Sequence, residues 1–208
     1  MKSNSEKDTK QTLEELENET EACTRCELHK TRTNVVFGTG PAKADVMMVG
    51  EAAGYYEDQA GEPFVGAAGK KLDGLLKKAG LSRENDVYIT NILKDRPPEN
   101  RDPTPEEIEA CRPYLEKQIR MIKPKLIVAL GRFAAGELLG RSVSVSKEHG
   151  SLEDSSYGGW HCRLFISYHP AAALYGADAA MKLEEDFEKL GEVVEKLDEF
   201  KTAEQTTL

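Results

Sequence analysis

The sequence predicts an α/β protein with a central parallel sheet covered by helices on both faces. The first observation is four short apolar runs bounded by polar turns, at residues 46–50, 87–93, 126–131 and 164–168. Continuous runs of that length read as strands buried on both sides. The second is that helical spacing follows three of them, and a strand–helix alternation selects parallel crossovers. A length of 208 residues suits one domain.

In chain order, residues 1–11 are polar with almost no apolar anchor and read as a disordered tail. A helix is expected from Thr12, with Leu13 and Leu16 on one side. VMMVG is the first strand. Leu72, Leu75, Leu76 and Ala79 then recur at i, i+3, i+4 and i+7, the stripe of an amphipathic helix. VYITNIL is the second strand. Thr104-Pro105-Glu106-Glu107 is a capping box with proline in the first turn. It opens a helix whose stripe is Ile108, Cys111, Leu115, Ile119 and Ile122. LIVALG and LFISY are the third and fourth strands. Leu183, Phe187, Leu190, Val194 and Leu197 form the last helical stripe. Residues 12–200 are the expected folded domain, and 201–208 a frayed tail.

A hydrophobic share of 39%, a charged share of 31% and a mean hydropathy of -0.55 describe a solvated globular surface. No apolar run approaches the roughly 18–20 residues that cross a bilayer. The polar, acidic start lacks the apolar segment of a secretory signal. Four cysteines are too few for a disulfide-stapled chain, so a cytoplasmic location is expected. The net charge of -9 sits at the ends: residues 1–22 carry -4 and residues 183–208 carry -6, leaving the middle near +1. An acidic total therefore does not exclude a basic groove for nucleic acid.

In a parallel sheet, ligands bind outside the carboxyl ends of the strands, where GEAAGYYED, Asn91, GRFAAG and YHPAAALYG fall. Gly50 to Gly54 can bring backbone N–H groups against a ligand or make a tight turn. The spacing lacks both dinucleotide and P-loop patterns. Asn91, in an apolar strand, can donate and accept at once, as reading a base edge requires; a structural role is the plain alternative. His169, followed by Pro170, ends the fourth strand in a comparable place. Phe64 in GEPFVG suits a stacking platform or packing under its own loop. Cys23 and Cys26 form a C-x-x-C pair. With Cys111, Cys162 or His161 the pair could hold zinc or an iron–sulfur cluster, though Cys111 on its apolar stripe also reads as a buried thiol.

Together these stretches resemble the iron–sulfur, family-4 uracil-DNA glycosylases. The resemblance rests on CTRCELHKTRTNVVFGTG, VGEAAG…ED…GEPFVGAAG, VYITNILKDRPPENRDPTPEEIEACRPYL, KPKLIVALG and YHPAAAL, in order over residues 20–198. It implies a three-layer α/β/α fold with a four-stranded parallel sheet. It further implies flipping of deoxyuridine out of DNA and hydrolysis of its N-glycosidic bond, leaving an abasic site. By resemblance, Phe64 stacks on uracil, Asn91 reads its edge, and His169 donates to O2 with backbone support around Glu51, Ala52 and Ala53. Glu51 or Glu57, or the main chain, orients the water, since the position of an orienting Asp in other glycosylases is Ala52 here. One of these side chains or a nearby loop excludes the thymine methyl. Leu174 is the candidate wedge that fills the gap in the duplex.

The family's cluster ligands correspond to Cys23, Cys26, position 95 and Cys111, and position 95 is Asp. A [4Fe-4S] cluster with Asp95 as a weak fourth ligand is therefore expected, with Cys162 disfavoured because it precedes the strand leading to His169. Ala53 replaces the usual proline, and the loop after His169-Pro170 lacks the usual basic residue. The implied partner is uracil-containing DNA, single- or double-stranded, handled by a monomer at the nucleoid with no membrane involved. Two other readings stay open: a DNA-binding relative with a lost or altered cluster and weak activity, and a zinc-stapled small-molecule binder.

Overall fold

The computed structural model describes residues 4–197, with side chains from residue 13 onward. Twelve elements organise it. In chain order they are α1 (Asn4–Glu21), β1 (Val46–Gly50), α2 (Tyr55–Ala60), α3 (Ala67–Lys78), β2 (Val87–Asn91), α4 (Pro105–Ile122), β3 (Leu126–Leu130), α5 (Arg132–Leu139), α6 (Val145–Glu148), β4 (Leu152–Tyr157), β5 (Trp160–Ser167) and α7 (Ala177–Glu195). The sheet runs β2-β1-β3-β5-β4. β2, β1, β3 and β5 are mutually parallel, and β4 pairs antiparallel with β5.

The three-layer architecture holds, and the expected strand count is corrected from four to five. β4 reads LEDSSY, a half-polar edge strand without the continuous apolar run of a central one. Gly158 and Gly159, both at positive φ (59° and 81°), form the tight turn that folds β4 onto β5. The same hairpin starts β5 at Trp160, four residues before the expected strand, so Cys162 lies inside it. The first helix begins at Asn4 instead of Thr12. The expected tail at 201–208 lies outside the described residues. The Thr104 capping box forms as expected, with the hydroxyl accepting from the Glu107 amide and the Glu107 carboxylate from the Thr104 amide.

Strand alternation splits the interior into two cores. Val46, Met48, Leu126, Val128 and Phe165 face α3 and α7, joining Leu72, Leu76, Leu183 and Phe187. Met47, Val49, Ile127, Leu164 and Ile166 face the other way, with Leu115 and Ile119 of α4 and Leu13 and Leu16 of α1. Strand order reverses around β1, with β2 on one side and β3 on the other. That reversal opens a crevice at the carboxyl ends of the strands. No helix among the described residues is long and apolar enough to cross a membrane.

Candidate active site

A cavity of about 310 Å³ occupies this crevice. Its walls bring together Glu51, Ala52, Ala53, Glu57, Phe64, Asn91 and His169, from the ends of β1, β2 and β5, from α2 and from the loop before α3. The sequence-predicted base-site residues therefore converge from positions spread over more than half the chain. Pro97, Asn100 and Arg101 close another side.

Asn91 is the last residue of β2, in register with Gly50 of β1. It is 1% exposed, and its Oδ1 is buried without a hydrogen-bond partner. Leaving such an acceptor unpaired costs about 1–3 kcal/mol, a cost that a ligand N–H reaching it would remove. Gly50 makes the geometry possible. A Cβ there would collide with Asn91 Oδ1 and stand 2.7 Å from Phe64 Cζ. The carboxyl end of β2 is braced from below by Lys94, whose ammonium donates to Thr90 Oγ1 (2.6 Å), the Asn91 carbonyl (2.7 Å) and Gln118 Oε1 (2.7 Å). Burial lowers the Lys94 pKa to about 7.

Phe64 is buried and holds a positive φ of 55°, a strained conformation for a bulky residue. Three contacts hold it there. Arg83 donates to the carbonyls of Pro63 (2.9 Å) and Phe64 (2.7 Å). Glu57 Oε1 accepts from the amides of Val65 (3.0 Å) and Gly66 (2.8 Å). Gly69 lets α3 close over the loop, because a Cβ there would overlap the Phe64 carbonyl. The Phe64 and His169 rings stack with centroids 5.5 Å apart.

His169 caps the short 3-10 turn Pro170–Leu174, its Nδ1 accepting from the Ala171 amide at 3.2 Å. Burial outweighs the attraction of Glu57 and lowers its pKa to about 4. The ring is therefore neutral near pH 7, and the accepting Nδ1 leaves the proton on Nε2. Glu51 is half-buried; burial first, then the nearby Asp102 carboxylate, push its pKa up to about 7 against the pull of Arg132. Glu57 is engaged with backbone amides through Oε1, which leaves Glu51 the less committed carboxylate. Leu174 does not line the cavity. It stands 45% exposed at the end of the turn whose Ala171 does.

On the opposite core, Cys23 and Cys26 pack against the cluster that includes Cys111. Cys26 feels the charges of Asp95 and Cys23, and Cys111 those of Asp95 and Cys26. Cys23, Cys26, Asp95 and Cys111 are thus electrostatic neighbours. Asp95 is 4% exposed, with Oδ2 accepting from Arg32 Nη1 at 3.0 Å and Oδ1 buried without a partner. Among the described residues, no three His, Cys, Asp or Glu side chains are grouped as ligands of a single metal ion. A single tetrahedral zinc would need sulfurs about 3.8 Å apart, whereas a four-iron cluster takes its ligands at separate corners. The soft thiolates and the orphaned carboxylate oxygen fit that larger group. Cys162 pairs in register with Ser155. Burial raises its thiol pKa to about 12, as it does that of Cys111; what separates the two is that Cys111 feels the charges of Asp95 and Cys26.

Gly69, Arg83, Lys94, Gly131 and Arg32 were not singled out in the sequence. Gly131 lies at φ 93° and admits the His169 side chain, which would sit 3.2 Å from a Cβ there. Its place after the third strand was a readable signal; the roles of Arg83, Lys94 and Arg32 exist only through contacts distant in sequence or local to the fold.

A sequence profile of the uracil DNA glycosylase superfamily matches residues 37–197. A type-4 uracil-DNA glycosylase of Archaeoglobus fulgidus is 47% identical over 190 residues, covering 89% of this chain and 95% of that protein. Type-4 uracil-DNA glycosylases of Sulfurisphaera tokodaii (46% identity, 87% of this chain and 84% of the relative) and Thermotoga maritima (41%, 90% and 98%) are similar over a comparable span. With the motif order, the crevice and the cavity in agreement, this chain belongs to the type-4 uracil-DNA glycosylases of the uracil DNA glycosylase superfamily.

Proposed function

We propose that this chain excises uracil from DNA by hydrolysing its N-glycosidic bond, the first step of base-excision repair, acting on single- or double-stranded DNA at the nucleoid. The observation that carries the reading is the buried, unpartnered Asn91 Oδ1 in a cavity walled by Phe64 and His169. Uracil presents N3–H to that oxygen and O4 to the amide nitrogen, whereas cytosine presents an acceptor at N3 and a donor at the 4-position. Flipping brings the base out of the stack and onto Phe64. The 5.5 Å between the Phe64 and His169 rings is less than two stacking spacings, so the base lies on one ring and meets the other at its edge.

As the bond between C1′ and N1 breaks, its electron pair leaves with uracil and spreads onto O2 and O4. His169, neutral with its proton on Nε2, donates to O2 as that charge grows. A neutral donor suits this step because it needs no proton transfer. Water adds at C1′, and Glu51 orients it and takes its proton, while Glu57 fixes the Phe64 loop. Cys23, Cys26 and Cys111, with Asp95 beside them, would hold a [4Fe-4S] cluster, which would tie the end of α1, the loop after β2 and α4 together. The test is release of free uracil from a uracil-containing oligonucleotide. Uracil with an abasic product is expected; intact DNA at enzyme excess would refute the reading.

A further inference from the structure

The two oxygens of Asp95 have different fates. Oδ2 accepts from Arg32 Nη1 at 3.0 Å, and Arg32 Nη2 donates to the Glu21 carbonyl at 2.6 Å. The guanidinium is thus tied both to the end of α1 and to Asp95, with its side chain 14% exposed. Oδ1 is buried, accepts from nothing, and belongs to a carboxylate whose charge reaches Cys26 and Cys111. A buried acceptor normally finds a partner. Arginine–carboxylate pairs are frequently two-pronged, whereas this one engages Oδ2 alone and leaves Oδ1 open.

We propose that Asp95 Oδ1 is the fourth ligand of the cluster, that Arg32 is the positioning residue holding the carboxylate one-pronged, and that the iron at this corner is selectively removable. The inference rests on the cluster reading of the proposed function. A carboxylate is a harder ligand than a thiolate and holds iron in a sulfide cluster less firmly. With ferricyanide as the one-electron oxidant, the 2+ core becomes 3+ and ferricyanide becomes ferrocyanide. The Fe–O bond and that iron's bonds to sulfide then break, releasing Fe2+ and leaving a [3Fe-4S]+ core on Cys23, Cys26 and Cys111. Cys162, inside β5 and in register with Ser155 of β4, is not among the groups whose charges reach Cys26 or Cys111 and is not the substitute.

The experiment uses the full chain, purified and reconstituted without oxygen. Iron and sulfide per chain and low-temperature EPR are recorded before and after one equivalent of ferricyanide with EDTA. The natural chain is expected to lose one iron in four, gain the three-iron EPR signal and return to its starting spectrum on adding Fe2+ and a reductant. Asp95→Cys, which supplies a fourth thiolate, should slow that loss roughly 10-fold or more. Arg32→Gln, which frees the carboxylate, should speed it, and Arg32→Lys should restore part of the difference. Asp95→Ala should hold the three-iron form from the start, and the four-iron content of Asp95→Cys keeps the assignment testable if the alanine variant misfolds. Equal iron content and equal loss rates in the natural chain and Asp95→Ala, or loss of the cluster in Cys162→Ser, would overturn the assignment alone. Absence of iron from both the natural chain and Asp95→Cys would overturn the cluster reading with it. Uracil release measured in parallel reports separately on the glycosylase reading.

Discussion

With Nδ1 already accepting from the Ala171 amide and a pKa near 4, His169 keeps one protonation state from pH 5 upward, so the pH dependence of excision belongs to another group. In the proposed mechanism that group is Glu51, pushed up to about 7. Orienting water and taking its proton requires the carboxylate, so kcat under saturating DNA should rise as pH climbs through about 7. Glu51→Gln should lower kcat and remove that limb; an unchanged profile would move the role to the main chain. The same shift has a stability consequence. A carboxyl with a folded pKa above its unfolded value binds more protons when folded, so stability falls as pH rises from about 4.5 to 7. Glu51→Gln should therefore raise the melting temperature at pH 8 relative to the natural chain and change it little at pH 4. His169→Ala should reduce excision about 100-fold or more, the scale of a lost transition-state donor, with DNA binding weakened far less. Equal losses in both would make His169 a binding or folding residue. Asn91→Asp removes the amide donors, so uracil excision should fall with a relative gain for cytosine; unchanged uracil excision would separate Asn91 from base reading.

At the level of elements, the strand-end loops were legible because each followed a continuous apolar run and carried an unusual residue, as Asn91 and His169 did. β4 was not, because an edge strand facing solvent has no need of such a run, and its burial alternates weakly. The signal missed there was Gly158-Gly159, which fixes the hairpin by conformation and not by hydrophobicity. Phe64 was legible as an aromatic in a glycine-proline loop, but its strained backbone was not. That strain is held by Arg83, 19 residues away, and by the close approach of α3. Gly69→Ala tests this support. Its Cβ would strike the Phe64 carbonyl, a backbone atom that cannot swing aside. The expected cost is about 1–3 kcal/mol, as in other overpacked sites, read in urea unfolding, together with weaker uracil excision. Excision unchanged at full stability would show that the loop does not need this geometry.

The net negative charge of the chain comes from its two end segments, while residues 23–182, which build the cavity, sum to near neutral. Arg101 lines the cavity, Arg96 donates to Asn100 of its wall and the charge of Arg132 reaches Glu51, so on the proposed function DNA binding should weaken as salt rises. Uracil in a single strand needs only unstacking, but in a duplex it leaves a hole beside its orphaned partner. The turn that sets His169 against the cavity ends in Leu174, 45% exposed, followed by Tyr175, 89% exposed. Leu174 closes the turn and Tyr175 caps it, both displayed to solvent, while Pro170 at its start is buried. A wedge of this kind matters only where a base stack must be filled. Leu174→Ala should accordingly slow excision from double-stranded DNA by about 10-fold, in line with a few kcal/mol of unstacking only partly met by other contacts. Excision from a single strand of the same sequence should stay within about 2-fold, because little stacking is replaced there. Single-turnover rates on the two substrates at one salt concentration measure the difference. Equal losses on both would show that Leu174 is not a duplex wedge and leave Tyr175 to be tested in that role.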